Sequence, residues 1–141
     1  MRAARRIVAA VALVGLLAVP AAAAKDFRPG DVRLCGARGC VSVDAAATAS
    51  ALGRFIYADG RGTPAVAPRR GAAAYALRFR NGYTAGLVDA SGRRFLSFGV
   101  ICERFRRGVW YRVPAPLAEA LREATEPLAP LRVPRRLPRS C

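Results

Sequence analysis

The chain has 141 residues, with 24 Lys or Arg against 9 Asp or Glu and no histidine, giving a formal net charge of +15. That length supports one modest hydrophobic core and is too short for two. Without histidine, Ser-His-Asp and Cys-His nucleophile systems and His-based metal centres are excluded, and the excess of arginine directs attention to polyanionic partners.

The N-terminus carries Arg2, Arg5 and Arg6, then an uncharged run over residues 7–19, then Pro20 and four alanines, Ala21 to Ala24. This is the pattern of a cleavable signal peptide over residues 1–24. Its apolar run is shorter than the ~20 residues a membrane-spanning helix needs, and Ala22-x-Ala24 offers a cleavage site before Lys25. The reading makes the mature protein secreted or otherwise extracytoplasmic, with no transmembrane segment. Cleavage would remove three arginines and no carboxylate, so the mature chain stays strongly basic. Lys25 is the only lysine, and the sequence is rich in Ala, Gly and Pro. A GC-rich coding sequence produces the same bias, so charge alone does not define a site.

Residues 25–131 are expected to form a single α+β domain. Pro29-Gly30 punctuates its lead-in. Two short strands, 32–35 and 40–43, flank Gly36-Ala37-Arg38-Gly39, a connection whose glycines suit a tight reversal. Cys35 and Cys40 then face each other at the mouth of the loop, and an oxidising destination favours a disulfide between them. Asp44 is placed to cap a helix starting at Ala45, with Ala45, Ala49, Leu52, Phe55 and Ile56 forming its buried stripe. Residues 58–71, with Gly60, Gly62, Pro64, Pro68 and Gly71 among Arg61, Arg69 and Arg70, predict a mobile basic loop.

From residue 73 the chain alternates. Tyr75, Leu77 and Phe79 interleave with Ala76, Arg78 and Arg80 up to Asn81-Gly82, which predicts a hairpin with a type I′ turn and Arg80 opposite Tyr83. Apolar runs over 95–102 and 109–113, set off by Ser91-Gly92 and Arg107-Gly108, extend it into a meander. Pro116 suits the first turn of a second helix, Leu117, Leu121 and Ala124 form its buried stripe, and Pro127 ends it. Residues 132–141, with Pro134 and Pro138 among Arg132, Arg135, Arg136 and Arg139, are expected to be a disordered basic tail. The predicted order is β-β-α-β-β-β-β-α, with both helices on one face of a mostly antiparallel sheet.

Few constellations suit catalysis. A glycosidase-like pair would have to come from Asp89, Glu103 and Asp59. Asp89 is explained as the cap of its own turn, and Glu103 as a surface ion pair. Four cysteines, Cys35, Cys40, Cys102 and Cys141, do not show the close C-x₂-C pairs of a zinc site, and the Cys35–Cys40 spacing is wrong for a thioredoxin-like motif. Cys102 and Cys141 either bridge each other, or leave Cys102 as an inert thiol and Cys141 free for an intermolecular bond. In residues 104–112, arginines alternate with Phe105, Trp110 and Tyr111, a composition found in nucleic-acid grooves, but strands with one buried and one basic face give it too and need no ligand to explain it.

The sequence thus predicts no enzyme, no cofactor and no metal. It predicts an exported interaction or envelope-associated module whose arginines, Arg69, Arg70, Arg104, Arg106 and Arg107 with those of the tail, meet an anionic envelope polymer, lipid surface or protein. Nucleic acid is not the expected partner of an exported chain. The alternative is a secreted disulfide-stabilised protein inhibitor, for example of proteases, presenting the 36–39 loop.

Overall fold

The computed structural model describes residues 27–99 and 103–137. The predicted signal peptide, Cys102 and Cys141 lie outside the described residues. The described chain is an α+β fold in the order β1 (Val32–Cys35), β2 (Cys40–Ser42), α1 (Ala46–Tyr57), β3 (Ala73–Phe79), β4 (Thr84–Asp89), β5 (Arg94–Ser97), β6 (Trp110–Arg112), α2 (Ala115–Thr125) and β7 (Leu131–Arg132). All these strands pair antiparallel in one seven-stranded sheet, six of them in the order β2-β1-β3-β4-β5-β6 and β7 pairing β3 off that path.

β7 is the element the sequence did not announce. It pairs with Ala73 and Ala74, while β1 pairs with residues 76–79 of the same strand, so β1 and β7 lie end to end along one edge of β3. Their junction is tight. Ala37 N–H donates to the carbonyl of Ala129 at 2.8 Å, and a Cβ on Gly36 would collide with that carbonyl. Arg132, assigned from sequence to the tail, therefore sits in the sheet. Val133 N–H donates to the Ala72 carbonyl at 3.2 Å, and Val133 and Leu137 pack half-buried on the apolar side chains beneath them.

Alternation along the strands makes two apolar faces. One carries Val32, Leu34, Leu77, Val88, Phe95 and Tyr111 and is covered by both helices, through Ala49, Leu52, Phe55 and Ile56 of α1 and Leu117, Ala118 and Leu121 of α2. Phe105 is fully buried there, its ring 4.8 to 5.4 Å from those of Tyr111, Phe55 and Phe95. The opposite face carries Cys35, Ala74, Ala76, Leu87, Leu96, Phe98 and Trp110. With Phe105, Trp110 and Tyr111 all buried, the arginine-aromatic stretch serves packing and offers no stacking platform.

Three local expectations need correction. Helix α1 begins one residue later than expected, and its N-cap is Ala45 with no side-chain cap bond, so Asp44 does not cap it. The 79–84 hairpin closes on a turn set one residue earlier than a type I′ pair at Asn81-Gly82 would give. Gly82 N–H donates to the Phe79 carbonyl at 2.9 Å and Phe79 N–H to the Tyr83 carbonyl at 2.8 Å, so Phe79, and not Arg80, faces Tyr83. The Asn81 carboxamide accepts from Tyr83 N–H at 3.0 Å and Gly82 takes φ +84°, an Asx-supported turn with one left-handed residue. Residues 58–71 are irregular as expected, but they are tied down. Arg112 N–H donates to the Thr63 carbonyl at 2.8 Å and Ala65 N–H to the Trp110 carbonyl at 2.9 Å, which makes this segment a short flank to β6.

Candidate functional site

The register of β1 on β3 makes Arg33 and Arg78 direct cross-strand partners. Both are exposed, and alternation puts them on the face of Cys35 and Ala76, away from the helices. Like charges placed directly opposite in an antiparallel pair repel, so the arrangement costs stability. Among the described residues neither arginine has a carboxylate within ion-pair distance. Arg78 Nε donates to Thr84 Oγ1 at 3.2 Å, which steadies the side chain without neutralising it.

A second like-charge pair provides the comparison. Arg94 and Arg112 are direct partners between β5 and β6. Here a carboxylate compensates, because Asp89, only 4 % exposed, accepts from Arg94 Nε at 2.8 Å, from Arg94 N–H at 3.0 Å and from Ser91 Oγ. The same sheet thus neutralises Arg94 of one arginine pair and, among the described residues, gives neither member of the other a carboxylate.

Two surface depressions meet at Arg78. On one side, Arg33, Arg78 and Arg80 line a recess of about 460 Å³ floored by Pro29, Gly30 and Phe79, beside the Cys35–Cys40 disulfide. On the other side is an open groove of similar size. Ala76, Leu87, Phe98 and Leu131 form its apolar floor, and Arg78, Tyr83, Arg132 and Arg136 stand around it. Among the described residues no Asp or Glu lines either depression.

The arginines singled out from sequence are scattered by comparison. Arg69 and Arg70 are exposed ahead of β3, and Arg70 shares a recess with Gly71, Val133, Pro134 and Arg135. Arg106 and Arg107 are exposed in the connection to β6, with Arg107 donating to the Leu137 carbonyl at 2.8 Å. Arg104 is turned to a structural task. Its Nε donates to the Phe55 carbonyl at 2.8 Å, and its Nη1 to those of Ala58, Asp59 and Gly60 at 3.1 to 3.3 Å, while the guanidinium lies 5.0 Å from the Phe105 ring centre. A cation at the C-terminal end of α1 satisfies orphan carbonyls and complements the helix dipole. Burial pushes the Arg104 pKa below its ordinary value, an effect that the charge of Asp59 opposes.

Sequence reasoning missed Arg33, and saw Arg78 only as an alternating strand residue. The available signal was the strand period, which puts Arg78 on the face of Ala76. What it lacked was the β1–β3 register, a pairing across more than forty residues.

The carboxylates do not assemble. Asp89 is buried in its own turn as expected, while Glu103 and Asp59 are exposed. The described residues contain no group of three side chains able to hold a metal, and no helix among them is long and apolar enough to cross a membrane. The Cys35–Cys40 disulfide is formed. No protein-family model, no curated protein and no solved structure matches the chain.

Proposed function

We propose that this protein is an exported, non-catalytic binding module that engages an anionic partner through the helix-free face of its sheet. The observation that carries the reading is the Arg33–Arg78 pair, which has no carboxylate partner among the described residues, set beside an Arg94–Arg112 pair in which Arg94 does have a buried one. Guanidinium groups bind phosphate, sulfate and carboxylate through parallel N–H donors. An anion between Arg33 and Arg78 would convert their repulsion into binding energy. Arg80, Arg132 and Arg136 extend the same charge to either side.

Export rests on the N-terminal pattern. N-terminal sequencing of protein recovered outside the cytoplasm tests it, with Lys25 as the expected first residue. Binding is tested by titrating a sulfated polysaccharide and anionic vesicles at low and at physiological salt. The reading expects affinity that falls as salt rises, because exposed charges are screened over a Debye length of about 8 Å at 0.15 M. Binding that is absent or indifferent to salt overturns it.

The inhibitor reading finds less support. Gly36 N–H donates to the Gly39 carbonyl at 2.8 Å, closing the disulfide loop as a tight turn whose Ala37 is bound to Ala129. A protease cleft takes an extended segment, and this loop has too few residues to offer one.

A further inference from the structure

The groove beside the arginines narrows the choice of partner. We propose that the sheet face docks on a bilayer of anionic phospholipid, a deepening that rests on the anion-binding reading above. Two features of the groove point away from a sugar polymer. Its floor is apolar, with Ala76, Leu87 and Phe98 almost buried beside the half-exposed Leu131, so these side chains offer a hydroxyl-rich chain no hydrogen-bond partner. The phosphate and glycerol region of a bilayer, by contrast, brings anionic oxygens and hydrocarbon together at one depth.

Tyr83 supplies the second feature. It is one of three large hydrophobic side chains exposed among the described residues, at 42 %, and it stands on the rim of this groove beside the hairpin turn. A tyrosine with an apolar ring and a polar tip is suited to the boundary between headgroups and acyl chains. Arg78, Arg132 and Arg136 ring the same floor, so phosphates have partners wherever the ring seats. Charge and apolar contact act together here, which matters because stable attachment to a membrane needs two signals.

In the docked state Arg78 is central. It borders both depressions, so it would meet a headgroup phosphate while Arg33 and Arg80 draw in a neighbouring one. Tyr83 and the edge of Leu131 would contact the acyl boundary. The covered face is the one without helices, so docking requires no rearrangement of the helical layer.

The test uses the purified chain from Lys25, the mature form that the export reading gives, with the variants Arg78→Gln and Tyr83→Ser, both at exposed positions. Each protein is titrated with phosphatidylglycerol-containing vesicles, with phosphatidylcholine vesicles and with dextran sulfate. The expected result is a preference of the parent chain for anionic vesicles, weakened about fivefold by Arg78→Gln, together with a loss on vesicles from Tyr83→Ser that is absent on dextran sulfate. Vesicle binding unchanged by Tyr83→Ser, or binding to dextran sulfate without binding to anionic vesicles, overturns the bilayer assignment and leaves the anion-binding reading standing. Binding to neither overturns both.

Discussion

Gly36 lies against the carbonyl of Ala129, so the disulfide hairpin and the segment entering β7 meet with no room for a side chain between them. Ala37 N–H seals the contact at 2.8 Å. Gly36→Ala must move one backbone or the other, and an overpacked site of this kind costs about 1–3 kcal/mol. Gly39 has open space around its Cβ position, so Gly39→Ala is expected to stay within about 0.5 kcal/mol of the parent. Urea denaturation of both variants checks the pair. Equal stabilities would show that the junction does not bear on folding.

The Cys35–Cys40 bridge encloses a short loop, with the two Cα atoms 4.0 Å apart across a β1–β2 pairing already held by backbone bonds. Chain-entropy reasoning gives about 2 kcal/mol for so small a ring. Replacing both cysteines by serine should therefore lower the denaturation midpoint and leave a folded protein. A chain that fails to fold would mean that the hairpin is needed to assemble the rest of the sheet.

Arg104 gathers four carbonyls at the end of α1. Arg104→Ala leaves the half-buried Phe55 carbonyl without its donor and removes the contact with the Phe105 ring. We expect a loss of about 1–3 kcal/mol, with Arg104→Lys intermediate because an ammonium cannot span the same carbonyls. The same variants should bind anions nearly as the parent does, since this guanidinium is committed inside the fold. A large loss of anion binding in a normally stable Arg104→Lys would contradict that assignment.

Asp89 holds the turn between β4 and β5 and neutralises Arg94. Asp89→Ala removes three acceptor interactions from a buried position. Breaking a buried pair costs about 3–5 kcal/mol, reduced here to about 2–4 because Arg94 is a third exposed. Thermal unfolding should show one of the larger losses of any single substitution. A change under about 0.5 kcal/mol would mean that solvent replaces the carboxylate.

What the sequence made legible was local. The 73–79 alternation, the helical stripes through Leu52 and Ile56 and through Leu117 and Leu121, and the cysteines across a four-residue connection all follow from short-range periods and turn chemistry. The parts it did not reveal depend on pairings between distant segments. β7 has two residues amid prolines and arginines, and it becomes a strand only because Ala73 and Ala74 present a free edge next to β1. Arg104 reads as one more cation in a basic run, and only the fold brings the end of α1 to it. The Arg33–Arg78 pair likewise exists only through the β1–β3 register, so a composition-based choice settled on clustered arginines instead.

On the proposed reading, Arg33 and Arg78 are kept side by side for an anion and at a cost to the fold. The most direct measurement takes Arg33→Gln, Arg78→Gln and the double variant, and records unfolding free energy and affinity for an anionic ligand in the same buffer. Each single variant is expected to be more stable than the parent by about 0.2–1 kcal/mol, because repulsion across the strands is relieved, while affinity falls and its salt dependence flattens. Variants that lose stability, or that bind the ligand as tightly as the parent, would contradict it.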